Sequence, residues 1–141
     1  MDMKSHCDDG TMPADYGVTL WLDTMKEALG KLGLDMRGAI KNAEYLREAG
    51  FINVQERTFK IPIGTWPKNR TLKTVGLYGR MMIYDGLEGN SLGPFTRGLG
   101  WSPEQVQVFL IQVRKALMDA SVHCYLPFHV VFGQKPLGGA N

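Results

Sequence analysis

The sequence predicts an α/β fold of four helices and two strands, and three observations carry that prediction. Four stretches repeat apolar residues at three- and four-residue spacing, the period of a helix with one buried face. Two others alternate apolar and polar residues, the period of a strand. The second of these, 122–132, carries an apolar face longer than a lone hairpin can bury, and it asks for neighbours on both sides. The order is α-α-β-α-(loop)-α-β. Either the two strands pair beneath the four helices as a compact α+β unit, or they border a sheet whose centre lies outside this sequence.

Residues 1–14 are polar and are expected to fray as far as Pro13. Val18, Trp21, Leu22, Met25, Leu29 and Leu32 then mark a helix of about 17 residues ending at Gly33. A second helix near 36–49 places Ile40, Ala43 and Leu46 on one stripe. Gly50 can take the left-handed position after its end, with Phe51 next to fold back on Leu46. In 51–63, Phe59, Ile61 and Ile63 alternate with Thr58, Lys60 and Pro62. Pro62 has no N–H to donate, so the strand ends there or runs along an edge.

Gly64-Thr65-Trp66-Pro67-Lys68-Asn69 reads as a loop, and 70–85 as a helix carrying Leu72, Val75, Tyr78, Met82 and Ile83. Gly76 and Gly79 weaken that helix intrinsically, which points to close packing there. The stretch 86–101 contains five glycines and Pro94 and is expected to be a loop or a set of short turns. Ser102-Pro103-Glu104-Gln105 is a helix start: an N-cap serine, proline at the first helical position, and a glutamine able to close a capping box. Val106, Leu110, Val113 and Leu117 follow on one face. In the last strand, Val122, Cys124, Leu126, Phe128, Val130 and Phe132 alternate with His123, Tyr125, Pro127, His129 and Val131.

Composition sets outer limits. With 44% apolar and 21% charged residues in 141, the chain is ordinary globular material for one domain. A net charge of +2, from 16 basic and 14 acidic residues without a run of either, argues against nucleic acid. No apolar stretch approaches the roughly 18 residues of a membrane span. The expectation is a soluble intracellular protein, cytoplasmic or nuclear, divided into a polar segment (1–14), a main region (15–136) and a tail (137–141). Cys7 and Cys124 have neither disulfide-framework nor zinc-finger spacing. A nucleoside cofactor would need a strand, a glycine-rich turn and a later acidic residue for the ribose, and no G-x-G here follows a strand-like run.

Several side chains have both a chemical and a packing reading. His123 and Tyr125 share one face of the final strand. His123 is the candidate catalytic base for an acceptor hydroxyl, or else a half-buried histidine bonded to backbone. Trp66 and Tyr125 are the candidate substrate contacts, although Trp66 can equally pack beneath the helix that follows. Asp8 and Asp9, with His6 and Cys7, are a paired carboxylate or metal set, or a solvated loop with one aspartate capping the next helix. Cys124 falls on the apolar face and suits an inert buried thiol.

Longer segments carry a resemblance. Asp8-Asp9-Gly10-Thr11-Met12-Pro13, Leu46-Arg47-Glu48-Ala49-Gly50-Phe51-Ile52-Asn53-Val54, Lys60-Ile61-Pro62-Ile63-Gly64-Thr65-Trp66-Pro67-Lys68, Leu99-Gly100-Trp101-Ser102, His123-Cys124-Tyr125 and Val131-Phe132-Gly133-Gln134-Lys135-Pro136 occur in this order. Together they resemble the carboxyl-terminal region of fungal LaeA-like class I methyltransferases, enzymes that use S-adenosylmethionine. The resemblance implies the end of a seven-stranded Rossmann-like sheet. Residues 51–63 would be its sixth strand and 122–132 its seventh, antiparallel and inserted between fifth and sixth. The first five strands and the cofactor motif have no counterpart here, so no cofactor-binding residue carries over. Residues 70–101 would form a mobile substrate lid. A partner chain supplying the other half, or a second copy, is the implied companion, and the two functions in view are an acceptor-side methyltransferase fragment and a non-catalytic interaction module that uses its open sheet edge.

Overall fold

The computed structural model describes residues 2–138. Helix α1 (Gly17–Lys31) is followed by a 3-10 turn (Gly38–Lys41) and a short α2 (Asn42–Glu48). Strand β1 (Ile52–Pro62), helices α3 (Arg70–Leu99) and α4 (Pro103–Met118), and strand β2 (Tyr125–Gln134) complete the order. The strands pair antiparallel, Pro62 opposite Tyr125 and Phe59 opposite Phe128. Thus the elements follow the expected order, and β1 stops at the proline that cannot extend a ladder.

Local signals act as read. The α2 helix closes through Phe51 N–H to the Leu46 carbonyl and Gly50 N–H to the Arg47 carbonyl, each 3.0 Å, with Gly50 at φ 85°. At the start of α4, Gln105 N–H reaches Ser102 Oγ and Ser102 N–H reaches Gln105 Oε1, closing the capping box. The tight packing expected at Gly76 is present: a Cβ there would stand 2.0 Å from the Gly64 carbonyl oxygen.

The helix expected near 36–49 is shorter, a 3-10 turn and then seven residues, with Ala43 buried and Ile40 exposed. Two further expectations fail. The stretch 86–101 is not a loop: α3 runs unbroken for 30 residues, through Pro94, and stops where Gly100 turns left-handed at φ 71°. The reason is burial at four-residue steps, where Ile83, Leu87, Ser91 and Phe95 form one inward stripe. Each glycine costs about 1 kcal/mol and an interior proline about 3, whereas burying leucine- and phenylalanine-sized side chains returns about 1.5–3 kcal/mol apiece. Gly93 eases the proline locally, because the ring crowds the Cβ of the residue before it and glycine has none. Gly98 lets the same helix touch α1, since a Cβ would lie 2.4 Å from the Ala28 oxygen. The glycine-rich loop expected within 70–101 is therefore absent, and the stretch is one continuous helix with its left-handed cap.

The second failure concerns the amino-terminal segment. Asp2 and Ser5 are buried, and His6 exchanges both backbone hydrogen bonds with Tyr125, at 3.0 and 2.9 Å. Asp2 N–H adds a bond to the Pro127 carbonyl, and Arg37 holds the Asp2 carboxylate with two bonds of 2.9 and 3.0 Å. Residues 2–6 thus lie along the edge of β2 that β1 leaves free. An unpaired strand edge recruits whatever backbone can reach it, and a polar composition does not prevent that.

The core gathers where α1, α3, α4 and the start of β2 meet, around Trp21, Leu22, Leu87, Phe95, Leu110, Cys124 and Leu126. Trp21 Nε1–H donates to Ser91 Oγ at 2.8 Å, and Ser91 donates in turn to the Leu87 carbonyl. These buried polar atoms are mutually satisfied, which removes the penalty of burying them.

Candidate functional site

Three chain segments converge at one end of the sheet. β1 runs out at Pro62, antiparallel β2 begins at Tyr125, and residues 2–6, antiparallel to β2, lead into the loop 7–12. Trp66 comes from the turn after β1. Its indole N–H donates to the Cys124 carbonyl at 3.0 Å, and its ring stacks on the His123 imidazole with centroids 4.9 Å apart. Trp66 is half-buried and packed, not an exposed aromatic.

His123 and Asp9 are brought together across 114 residues. His123 Nδ1 lies 2.5 Å from Asp9 Oδ2. The other carboxylate oxygen accepts from the Thr11 hydroxyl at 2.8 Å and the Thr11 N–H at 3.2 Å, and Thr11 Oγ1 accepts from the His123 backbone N–H at 2.9 Å. Side chain and backbone thus close a ring of Asp9, Thr11 and His123. Hydrogen bonding to His123, then to Cys7 and Thr11, holds the Asp9 carboxyl well below the usual carboxylate range. Because a carboxylate only accepts, Nδ1 carries the proton of this hydrogen bond, and in the neutral ring Nε2 is then the nitrogen that holds the lone pair.

Asp8 serves a second pair. It accepts from the Tyr125 hydroxyl at 2.8 Å and from the Lys60 ammonium at 2.5 Å, and Lys60 sits 4.8 Å above the Tyr125 ring. The Lys60 and Tyr125 bonds lower the Asp8 carboxyl, while Asp8 raises the lysine. Tyr125 is raised first by its own burial and then by Asp8. His6 stacks on its ring at 5.6 Å.

Neither aspartate caps α1, whose N-cap position is Tyr16 without a side-chain bond. Asp9 turns its own loop instead, through Thr11. The metal reading finds no support either: among the described residues, no three His, Cys, Asp or Glu side chains converge. Cys124 is fully buried and its thiol is pushed up to about 12, chiefly by that burial, as an inert core thiol should be. Sequence reasoning brought out His123, Tyr125 and Trp66 but missed Lys60 and the bracing role of Thr11. Lys60 was legible only as the polar alternate of a strand, and Thr11 only as part of a motif.

The turn after β1 is packed against α3. Gly64 N–H donates to the Gly76 carbonyl at 3.0 Å, and the Gly64 carbonyl abuts Gly76.

Several fungal proteins are similar to this chain. Methyltransferase pytC of Aspergillus terreus is 35% identical over 131 residues, covering 93% of this chain and 40% of that protein. The chain matches the carboxyl-terminal part of fungal LaeA-like methyltransferases. A probable methyltransferase, tdiE of Emericella nidulans, is 33% identical over 129 residues, and the protein-methionine methyltransferase laeA of the same fungus is 24% identical over 141. The chain spans about two-fifths of the length of these curated relatives. No family model matches it, and no solved structure does. Among the described residues, no helix is long and apolar enough to cross a membrane.

Proposed function

We propose that these residues form the acceptor-side part of an S-adenosylmethionine-dependent methyltransferase of the secondary-metabolism type, and that the cofactor is bound by polypeptide outside them. One observation carries this reading. The match to fungal methyltransferases runs through nearly the whole chain, yet the chain spans only two-fifths of the length of such an enzyme. The flanking of β2 supports it as well: β1 lies on one side and residues 2–6 on the other, the setting expected for a seventh strand between a fifth and a sixth.

Titration of S-adenosylmethionine into the purified chain, followed by calorimetry, tests the proposal. The expected result is no heat of binding at tens of micromolar ligand. Micromolar affinity of the chain alone would show that the cofactor site is here and would sink the division of labour.

A second reading is an interaction module without catalysis, and one specific observation favours it. Phe59, Phe128, Val130 and Phe132 lie exposed on one face of the two-stranded ribbon, the kind of contiguous apolar surface that another protein or a second copy covers. The two readings part on cofactor-dependent methyl transfer: it appears when the rest of a pytC-like enzyme is supplied as a separate chain under the first, and is absent under the second.

A further inference from the structure

In open α/β sheets, ligands bind outside the carboxyl ends of the strands. Here that edge is defined by the ends of β1 and of residues 2–6, and the groups standing on it are His123, Asp9 and Trp66. We propose that His123, oriented by Asp9, is the base that takes the proton from a hydroxyl-bearing methyl acceptor. This rests on the acceptor-side reading above and goes further by naming the group and the acceptor chemistry.

Four features of the arrangement support that assignment. Asp9 fixes the tautomer, leaving Nε2 with a lone pair and no hydrogen-bond partner among the described residues. The ring cannot swing away, because Trp66 stacks on one face and Thr11 holds the adjoining backbone. About a third of the His123 side chain is exposed, so an acceptor can reach it. Finally, Asp9 is itself immobilised by Thr11, which keeps a negative charge beside the imidazolium that forms. A histidine recruited only for packing has no need of a braced carboxylate on one nitrogen and open space at the other.

The step balances simply. The acceptor O–H bond breaks, its electron pair stays on oxygen as the nucleophile, and the proton passes to Nε2. That oxygen pair forms the new O–CH3 bond as the methyl–sulfur bond of the sulfonium donor, bound elsewhere, breaks; the breaking bond's electron pair stays on sulfur, which leaves as a neutral thioether. A phenol, with an ordinary value near 10, is close enough to imidazole for such a transfer to help. A thioether acceptor has no proton to lose and would make this pair superfluous, so the proposal also divides acceptor classes.

Two measurements on the 141-residue chain test it without the cofactor. Long-range proton–nitrogen NMR at pH 8 should find His123 as the Nδ1–H tautomer, with Asp9→Ala shifting the population toward Nε2–H. Cleavage of 4-nitrophenyl acetate reads an accessible neutral imidazole. His123→Ala should lower that rate at least about tenfold and Asp9→Ala severalfold, in line with the contribution of a positioned base. His123→Gln is the second variant should alanine unfold the loop, and circular dichroism checks both. An Nε2–H tautomer in the parent, or unchanged cleavage in a folded His123 variant, would overturn the assignment. Because neither measurement uses S-adenosylmethionine, failure here leaves the cofactor titration to judge the broader reading separately.

Discussion

The two halves of β2 carry similar apolar side chains and meet opposite fates. Cys124, just before the strand, and Leu126, within it, are 0% exposed beneath three helices, whereas Phe128, Val130 and Phe132 on the same face are 36–45% exposed. The alternation is continuous in sequence; the cover is not. Helices α1, α3 and α4 reach only the end of the sheet where the polar cluster stands, and the far half projects as a ribbon touched on its other face by α2. A strand pattern therefore specifies which face is apolar, but the cover for that face has to come from other segments. One end of this molecule is a finished core bearing a braced polar site; the other presents an exposed apolar face.

The largest expected effect breaks the covered end. Phe95 is fully buried and meets Trp101 and Phe109 edge-on, with ring centroids 5.2 and 5.9 Å away. Phe95→Ala should cost about 3–5 kcal/mol in urea unfolding, the usual price of a large core truncation. A loss below about 1 kcal/mol would mean that the cluster is looser than described. Next in size is Ser91→Ala, which leaves the buried Trp21 N–H without its acceptor and should cost about 1–3 kcal/mol. Unfolding followed by tryptophan fluorescence would report both the stability and the change around Trp21.

The two thiols sharpen the same contrast without a mutation. Cys7 is partly exposed and should be alkylated in the native chain at pH 8, while Cys124 should react only on unfolding. The sign of the pH effect follows from the raised folded value of Cys124. Its contribution to stability is complete below about pH 9, where an unfolded cysteine ionises, and is lost as pH climbs toward about 12. Asp9 runs the other way. Its depressed folded value stabilises above the unfolded value of 3.8 and is lost as pH falls below it. Melting temperatures across both windows would show the two slopes, and rapid native labelling of Cys124 would contradict its burial.

How much of this was legible in the sequence depended on the range of the forces involved. Caps and stops are local, so Ser102, Gly50 and Pro62 acted as read. The 30-residue span of α3 was not legible, because the local signals at Gly86, Gly89, Gly93 and Pro94 oppose helix and only tertiary burial of Leu87, Ser91 and Phe95 overrides them. The site was half legible. The histidine and the aromatics stood out by type, yet the Asp9–His123 pair spans 114 residues and depends on residues 2–6 docking beside β2. Nothing in the polarity of that segment announces the docking, since backbone hydrogen bonds, open to any non-proline residue, accomplish it.

The smallest expected effect lies at the open end and is the most instructive. Phe132→Ser removes an exposed ring from a face that no helix covers among the described residues, so unfolding stability should move by no more than about 0.5 kcal/mol, as for ordinary surface positions. Self-association should respond more, because Phe59, Phe128 and Val130 flank the same patch. Light scattering of the parent against Phe132→Ser separates the possibilities. If a second copy covers the ribbon, the substitution lowers the association state and exposes a hidden stability term at high protein concentration. Should it instead cost several kcal/mol in dilute monomer, the far half is packed in solution, and the contrast between the two ends of β2 fails.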